Sequence, residues 1–292
     1  MKIGFFTMPV HRLGRNYTEC LQEDRDAVIL ADKLGFSEAY VGEHLTDAAE
    51  NITNAMLFQA SLISETKQIK LGTGTTNLSH THPVLVAAQA AMLDHLLQGR
   101  FMFGISPGAL ESDAEALGIR GLDRNQMFAE SITHILDIWG GEPPYDLRGK
   151  RWKISTRETL MPEIGLGPIV KPFQKPHPPI VCTVVAPFSK GVIEMGKRGF
   201  LPISANFLLD KWVKTHWDNY SQGCEESGRE ASPEDWRVAR SIFVHDDHKT
   251  AIDYGKKHER SPYRFYFKQL YTKLKKANRH TVFKPEKIFP DE

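Results

Sequence analysis

The chain has 292 residues, 41% of them hydrophobic and 25% charged, so it can bury the core of one large α/β barrel or of two modest domains. Its 37 Lys and Arg residues balance 36 acidic residues and leave a net charge of +1, which excludes a strong global field for nucleic acid or an anionic membrane. The three cysteines are odd in number and widely spaced, and neither a signal peptide nor a membrane-spanning apolar run is visible. We therefore expect reduced thiols in a cytoplasmic protein.

Apolar runs predict strands that alternate with helices along most of the chain. The strands cover residues 2–8, 38–42, 69–76, 100–106, 179–185, 200–204 and 238–244. The helices cover about 18–34, 53–66, 83–97, 123–139 and 189–197, and a further helix contains Trp212, Trp217 and Tyr220. Thr18 and Ser189 are predicted to cap the helices that they begin.

The chain is organised around two strands, 69–76 and 100–106, and the helix 83–97 between them. A connection of this length cannot be a hairpin, so the two strands should lie parallel as a βαβ unit. Both strands end in Gly, Ser or Thr. Ligands bind at the carboxyl ends of parallel strands, and small side chains would allow a flat ring to approach the backbone there.

Two stretches interrupt this pattern. Residues 145–178 contain many Gly and Pro residues without a sustained period, which predicts a long loop insertion before the fifth strand, with a short hairpin around Trp152. Residues 256–292 begin as a basic, aromatic helix and form a C-terminal excursion. A solvated helix face explains this stretch better than a nucleic-acid surface, because the rest of the chain balances its charge.

The alternation of strands and helices predicts an α/β fold, a TIM-type (β/α)8 barrel, as a single barrel domain over residues 1–292. Seven strands are visible and an eighth is not. We therefore expect a barrel that is truncated before its eighth strand.

Several motifs, in the same order along the chain, resemble those of the bacterial luciferase-like, flavin-dependent monooxygenases. They are Leu-Gly-Phe-Ser-Glu-Ala-Tyr-Val-Gly-Glu-His at 34–44, Ile-Lys-Leu-Gly-Thr-Gly-Thr at 69–75, His82-Pro83, and Gly-Arg-Phe-Met-Phe-Gly-Ile-Ser-Pro-Gly at 99–108. Trp-Lys-Ile-Ser-Thr at 152–156 and Val-Ala-Pro-Phe-Ser-Lys-Gly at 185–191 resemble the limonene monooxygenase-like branch.

The resemblance implies a chemistry and its partners. Such an enzyme takes reduced FMN from a separate flavin reductase, reacts with O2 to form a 4a-hydroperoxyflavin, and inserts one oxygen atom into a small apolar substrate such as a terpene, ketone or aldehyde. It implies a homodimer through the helices after the second and third strands, where Met56, Phe58 and Leu62 are compatible with an interface. It also implies that the basic C-terminal stretch precedes or forms a mobile lid.

Site residues follow from the same resemblance, position by position. His44, with Glu43 before it, fills the place of a catalytic histidine beside the flavin, and Gly74-Thr75 matches a non-proline cis peptide that supports the ring. Pro107 replaces an arginine that contacts the phosphate in luciferase, which leaves the helix start at 189–190 as the better phosphate anchor. The cofactor-binding positions implied in this way are Gly74, Thr75, Ser106, Gly108, Ala109, Val185, Ala186, Ser189 and Lys190, with Asn206 as a weaker member.

Alternatives remain open at this point. The absence of an eighth strand, together with Pro107, fits a non-catalytic flavin-binding protein, and a deazaflavin-dependent oxidoreductase would share the barrel. His44 could be held by Glu43 or a loop carbonyl, although the family match favours catalysis. His80 and His82 have no carboxylate or cysteine at ligand spacing, so we expect loop residues and no metal. Phe5, Phe6, Met8 and the 145–178 loop are expected to help form the apolar pocket.

Overall fold

The computed structural model describes residues 2–278, which divide between Val181 and Cys182 into an N-terminal unit and a C-terminal unit. The predicted lid over 256–292 therefore lies partly outside the described residues. Within residues 2–278, no helix has both the length and the apolar character needed to cross a membrane.

Parallel strands form the core of the N-terminal unit. They pair in the order β1, β2, β3, β5, and β4 pairs with β5. Phe101, Phe103 and Ile105 are fully buried, as expected for a strand covered on both faces. The five strands are β1 (Phe5–Thr7), β2 (Glu38–Val41), β3 (Lys70–Thr73), β4 (Thr76–Asn77) and β5 (Phe101–Ser106).

Five helices connect or follow these strands, and four of them begin at a side-chain cap. Before the third helix, His82 Nδ1 accepts the Val84 N–H at 3.3 Å. Asn16 Oδ1 accepts the Glu19 N–H at 3.2 Å, Asn54 Oδ1 accepts the Leu57 N–H at 2.8 Å, and Asp123 Oδ1 accepts the Gln126 N–H at 3.0 Å. The helices are α1 (Tyr17–Lys33), α2 (Ala55–Ala60), α3 (Pro83–Leu96), α4 (Glu111–Ala116) and α5 (Arg124–Gly140). The predicted cap at Thr18 is wrong, because Asn16 is extended and starts the helix earlier.

The long insertion contains the expected hairpin. Strand β6 (Asp146–Arg148) pairs antiparallel with β7 (Lys153–Ser155), and Leu147 lies opposite Ile154. Glu130 on α5 holds the hairpin by accepting the N–H groups of Lys150, Arg151 and Trp152. A single 3₁₀ turn, Pro162–Ile164, is the other regular element of this loop.

The C-terminal unit continues the alternation of strands and helices. Strand β8 (Ile180–Val184) spans the division between the units, and the strand Leu201–Ser204 pairs parallel with the strand Arg237–Val238. The other elements are α6 (Gly191–Arg198), β9 (Leu201–Ser204), α7 (Asp210–Glu226), a 3₁₀ turn (Pro233–Asp235), β10 (Arg237–Val238), α8 (His248–Lys256) and α9 (Pro262–Lys276).

Helices α6 and α7 pack closely because glycines lie at their crossing. A Cβ on Gly196 would lie 2.5 Å from the Tyr220 carbonyl oxygen, and a Cβ on Gly223 would lie 2.1 Å from the Ile193 carbonyl oxygen. Beside this crossing, Val184, Val192, Tyr220 and Cys224 form a buried apolar cluster.

The last predicted strand is much shorter than expected. The sequence predicts a strand over 238–244, but β10 ends at Val238, and no further strand follows up to residue 278. Ile242 and Val244 are more than 80% exposed, so no layer covers their apolar side chains. An apolar run forms a stable strand only where neighbours bury it.

The Asp32 carboxylate provides a test of how the N-terminal unit is stabilised. It is buried and accepts the N–H groups of Lys67 at 3.0 Å, Gln68 at 3.0 Å and Ile69 at 2.8 Å, which fixes the entry to β3. Burial acts to raise the pKa of Asp32, but these three N–H groups outweigh it and hold the pKa below its usual range.

We predict that Asp32→Asn lowers the free energy of unfolding by about 1–3 kcal/mol at neutral pH, because buried N–H groups lose a charged acceptor. Since the pKa is lowered on folding, the stabilisation is present above about pH 4 and is lost as the pH falls below that value. Urea unfolding at neutral and acidic pH measures both effects. Asp26→Asn, at an exposed site on the same helix, is the control, and an equal loss in both variants would contradict the assignment.

Candidate active site

Glu43 connects three segments at the carboxyl end of β2. Its Oε2 accepts the Ala55 N–H at 2.9 Å and its Oε1 accepts the Asn77 N–H at 2.9 Å, so the start of α2 and the end of β4 are both bound to the loop after β2. Burial raises the pKa of Glu43, and the two N–H groups oppose that rise. Both carboxylate oxygens of Glu43 therefore have main-chain partners.

His44 contacts a different carboxylate. Its Nδ1 lies 2.9 Å from Glu50 Oε2, and its main-chain N–H donates to the Ile52 carbonyl at 2.9 Å. The structure does not show the alternative in which Glu43 or a loop carbonyl holds the ring. The sequence does not predict that Glu50 contacts His44, because this contact depends on how the loop after β2 folds back.

Asp113 on α4 holds the same loop from the other side. This fully buried residue accepts the Leu45 N–H at 3.2 Å, the Thr46 N–H at 2.9 Å and the Thr46 hydroxyl at 2.5 Å. Helix α4 has only six residues and no apolar period, so the sequence predicts neither the helix nor this contact. The signal that the sequence offers for this contact is the position of Asp113 itself, an acidic residue shortly after the end of β5.

The peptide bond between Gly74 and Thr75 is cis, as the resemblance predicts. Beyond it, the Thr75 hydroxyl donates to Ser106 Oγ at 2.7 Å, and the Ser106 hydroxyl donates to Asn77 Oδ1 at 2.8 Å. The Gly108 N–H also donates to Ser106 Oγ, at 3.2 Å. The predicted residues Gly74, Thr75, Ser106 and Gly108 are therefore brought together in the N-terminal unit.

Two buried polar atoms in the segment that follows the cis bond have no hydrogen-bond partner among the described residues. They are Thr76 Oγ1 and His80 Nε2. His80 Nε2 faces Gly108, whose φ is +76°, and a Cβ on Gly108 would lie 2.5 Å from that nitrogen. Burial lowers the pKa of His80 and favours the neutral ring. Unsatisfied polar atoms in this setting fit a bound group that carries both donors and acceptors, such as a flavin ring. Ala109 is exposed next to Gly108.

Phe6 and Met8 lie beside the glycines of these strand ends. A Cβ on Gly74 would lie 3.1 Å from the Phe6 ring, and a Cβ on Gly42 would lie 2.0 Å from the Met8 sulfur. Phe5, Phe6 and Met8 are all half-buried. Of the predicted pocket residues, Phe6 thus adjoins Gly74 and Met8 adjoins Gly42 within the N-terminal unit.

In the C-terminal unit, Val185 and Ala186 are exposed directly after β8. His216 Nε2 donates to the Ala186 carbonyl at 2.8 Å, and the Ser204 hydroxyl lies 2.8 Å from His216 Nδ1. The carbonyl can only accept, so the neutral ring carries its hydrogen on Nε2 and Nδ1 accepts from Ser204. Trp236 Nε1 completes the chain by donating to Ser204 Oγ at 2.9 Å.

The remaining predicted residues lie on the same unit. Ser189 is not a side-chain cap, and that prediction is wrong: α6 begins after Lys190, and Ser189 accepts the Val192 N–H through its main-chain carbonyl at 3.1 Å. The Lys190 side chain is exposed. Asn206 donates to Ser241 Oγ at 2.9 Å and accepts the Tyr266 hydroxyl at 3.4 Å, so contacts within the unit use both ends of its amide.

One group of described residues has metal-ligand spacing. Single ligand atoms of His44, Asp47 and Glu50 lie within 4.8 Å of one another. His80 and His82 are not part of this group.

A family model described as luciferase-like monooxygenase matches residues 1–287. The chain belongs to this family. It is 31% identical over 266 residues to 4-hydroxyprotoasukamycin monooxygenase of Streptomyces nodosus subsp. asukaensis, covering 87% of this chain and 67% of that protein. It is 27% identical over 248 residues to limonene 1,2-monooxygenase of Rhodococcus erythropolis, covering 85% of this chain and 62% of that protein. The chain thus spans about two thirds of the length of these relatives.

A solved structure gives the same result for the fold. The oxygenating constituent of 3,6-diketocamphane monooxygenase from Pseudomonas putida, a type II Baeyer-Villiger monooxygenase in complex with FMN, superposes with a TM-score of 0.83 at 26% identity, covering 97% of this chain and 78% of that one. The predicted family and the predicted α/β, TIM-type fold class are confirmed. The interpretation as a flavin-dependent monooxygenase agrees with the activities named for these relatives.

The His216 chain of hydrogen bonds makes a pH-dependent prediction. Burial lowers the pKa of His216, against the opposing effect of the Ala186 carbonyl, so the folded protein resists protonation more than the unfolded chain does. Its contribution to stability is complete above the ordinary histidine pKa of about 6.5 and is lost as the pH falls below it.

We expect the melting temperature to fall between about pH 7.5 and about pH 5.5, and to fall less in His216→Gln, whose amide can reach the same partners without titrating. Thermal unfolding across this range measures the difference between the two proteins. His248→Gln, at an exposed site, is the matched control. Parallel pH profiles for the wild type and His216→Gln would show that His216 does not titrate in this way.

Proposed function

We propose that the protein is an FMN-dependent monooxygenase that inserts one oxygen atom from O2 into a small apolar substrate, such as a terpene, a ketone or an aldehyde. The observation that carries the proposal is the set of groups at the carboxyl ends of β2 to β5. There His44, the cis Gly74–Thr75 peptide and the Thr75–Ser106 hydroxyl pair accompany buried polar atoms without partners. Family membership supplies the reaction class.

In the N-terminal unit, Gly74, Thr75, Ser106, Gly108 and Ala109 would hold the flavin ring. When bound in its reduced form, FMN supplies the electrons that activate O2. The Thr75 and Ser106 hydroxyls and the His80 Nε2 atom offer the ring hydrogen bonds. The FMN in the diketocamphane enzyme supports this cofactor over a deazaflavin.

In the C-terminal unit, we assign cofactor binding to Val185, Ala186, Ser189, Lys190 and Asn206. Lys190 offers an exposed ammonium group at the start of an eight-residue helix, where the helix dipole favours an anion. The FMN phosphate is the anion that fits this role. Pro107 has no side-chain donor, which is consistent with a phosphate contact elsewhere in the chain.

His44 is proposed as the residue that holds a proton beside the flavin, and Glu43 as the residue that positions it. Both Glu43 oxygens accept main-chain N–H groups, so its carboxylate fixes the loop and does not take part in proton transfer. Phe6 and Met8 would give the adjoining surface its apolar character, which suits a substrate with few polar groups.

The partners proposed are O2 and a separate flavin reductase. The diketocamphane protein is described as an oxygenating constituent, which supports an arrangement in which another protein reduces the flavin. A cytoplasmic location is consistent with a supply of reduced flavin from such a reductase.

A homodimer is also proposed, but through different side chains from those the sequence suggests. Met56, Phe58 and Leu62 are buried within the N-terminal unit, so they cannot form an interface. The apolar side chains that α2 and α3 expose are Leu57, Leu85, Met92 and Leu96. Exposed apolar side chains on neighbouring helices are typical of protein interfaces.

The proposed reaction can be tested with chemically reduced FMN and oxygen-18 gas. We expect the full-length protein to add one oxygen-18 atom to at least one member of a panel of cyclic terpenes, cyclic ketones and aldehydes, as read by mass spectrometry. His44→Asn should retain FMN binding and lose at least about tenfold in product formed, because removal of an acid–base residue typically costs 10²–10⁴-fold.

Two outcomes would count against the oxygenase. If FMN binds tightly while no substrate is labelled, the protein is a flavin-binding protein without turnover. If FMN does not bind and a deazaflavin does, the deazaflavin-dependent oxidoreductase is the correct assignment. Lys190→Ala, with Lys214→Ala as an exposed control, tests the phosphate site, because only the former should weaken FMN binding.

The dimer is tested by light scattering after size exclusion. We expect a mass of about twice the chain's 33.1 kDa for the wild type and a shift toward the monomer for Met92→Asp, because a charge on an apolar interface is unfavourable. Ile242→Asp, at another exposed apolar position, should leave the mass unchanged. A monomeric wild type at micromolar concentration would contradict the proposal.

A further inference from the structure

The loop after β2 contains a buried carboxylate to which the proposed function gives no role. The Glu50 side chain is 6% exposed, and its Oε2 lies 2.9 Å from Nδ1 of His44. Burial of a carboxylate is costly unless charged groups or donors compensate for it. A carboxylate buried against the proposed proton-carrying ring therefore suggests a role in that proton chemistry.

Main-chain hydrogen bonds place Glu50 at this point. Asp47 Oδ1 accepts the N–H groups of Ala49 at 2.9 Å and Glu50 at 3.3 Å, which turns the chain. The His44 N–H then donates to the Ile52 carbonyl at 2.9 Å and closes the loop across Glu50. The contact between Glu50 and His44 is thus built into the loop and is not a chance meeting of mobile side chains.

Other titratable groups surround His44, but they have main-chain partners or lie farther from Nδ1. Glu43 uses both oxygens for N–H groups, and Asp47 uses Oδ1 for two more. His80 interacts electrostatically with His44, and burial lowers the pKa of His80, which favours its neutral ring. Glu50 is the carboxylate in contact with the ring.

The contact bears on which ring nitrogen carries hydrogen. An ionised carboxylate can only accept, so a hydrogen on His44 Nδ1 is favoured, and in the neutral ring Nε2 becomes the free acceptor. Nδ1 is also a buried atom, although 18% of the His44 side chain is exposed. The 2.9 Å contact between Nδ1 and Glu50 Oε2 is an ion-pair contact without hydrogen-bond geometry, and catalytic hydrogen bonds are often poorly aligned before the reacting complex forms.

We propose that Glu50 is a positioning residue for His44. Its carboxylate keeps a hydrogen on Nδ1, and Nε2 is the atom that takes up and releases a proton beside the flavin. The role beside the flavin rests on the proposed function, whereas the hydrogen on Nδ1 does not.

A bound metal ion is the competing explanation, and it predicts the opposite protonation. One ring nitrogen of His44 and carboxylate oxygens of Asp47 and Glu50 are close enough to share a cation, and Nδ1 is the ring nitrogen that contacts Glu50. A ligand nitrogen must be free of hydrogen. Metal binding would therefore remove the hydrogen from Nδ1 that Glu50 is proposed to keep there.

The test uses the full-length protein with nitrogen-15-labelled histidine, observed by NMR above about pH 8, where histidine is ordinarily neutral. The His44 ring signals are assigned by their loss in His44→Asn. We expect the wild type to show the Nδ1–H form, unchanged by a chelator or by added Zn²⁺. Glu50→Leu should shift the ring toward the Nε2–H form, whereas Glu50→Gln, whose amide oxygen can accept, should retain the Nδ1–H form.

A second measurement tests whether the hydrogen on His44 Nδ1 affects the oxygenation reaction. We expect product formed per reduced FMN consumed to fall at least about tenfold in Glu50→Leu and less in Glu50→Gln, with the affinity for FMN unchanged, because the ring remains present in the wrong tautomer. Glu65→Gln, at an exposed site in the same unit, is the control.

An Nε2–H form in the wild type, a spectrum unaffected by Glu50→Leu, or a spectrum changed by Zn²⁺ would each overturn the proposal. The wild-type spectrum identifies the tautomer even if Glu50→Leu fails to fold. If no protein in the series oxygenates any substrate, the proposed function fails, while the nitrogen spectra still decide whether Glu50 sets the tautomer of His44.

Discussion

The structure depends on close contact between main-chain segments at the ends of neighbouring parallel strands. A Cβ on Gly104 would lie 1.7 Å from the Thr73 carbonyl oxygen, and a Cβ on Gly42 would lie 3.1 Å from the Gly74 carbonyl oxygen. No side chain fits in the first of these spaces, so β3 and β5 can approach only because position 104 is glycine. The same approach brings Thr75 within hydrogen-bond distance of Ser106, so a packing constraint inside the sheet also sets the geometry of the site.

Buried carboxylates then fix the main-chain segments that precede or follow these strands. Asp32, Glu43 and Asp113 accept seven main-chain N–H groups between them, and each N–H belongs to a segment distant in sequence. A carboxylate bonded in this way holds a loop more firmly than apolar packing alone, because its removal would leave several buried donors unsatisfied. Around His44, this fixation comes from Glu43 and Asp113, which accept main-chain N–H groups on both sides of the loop.

Local pattern in the sequence predicts much of the fold and little of this network. Continuous apolar runs locate β5 and β8 to within about one residue, since burial on both faces leaves a clear signal. The run at 238–244 has the same composition, yet Ile242 and Val244 face solvent, because tertiary neighbours and not the run itself determine whether a strand forms. Ser189 is expected to cap α6 for a similar local reason, but the helix starts one residue later. The roles of Glu50 and Asp113 escape prediction because their contacts join positions that only the folded chain brings together.

Glu43 and Glu50 show that a residue's place in a sequence motif does not determine its contacts in the folded loop. Glu43 is next to His44 in the motif, which suggests a share in catalysis, yet its oxygens are bound to the N–H groups of Ala55 and Asn77. Glu50 lies outside the motif and contacts the ring. In a loop that folds back over six residues, the chain neighbour points into the scaffold and the more distant residue meets the imidazole. Motif resemblance therefore points to His44, while the physical contacts of the folded loop identify Glu50 as the carboxylate beside its ring.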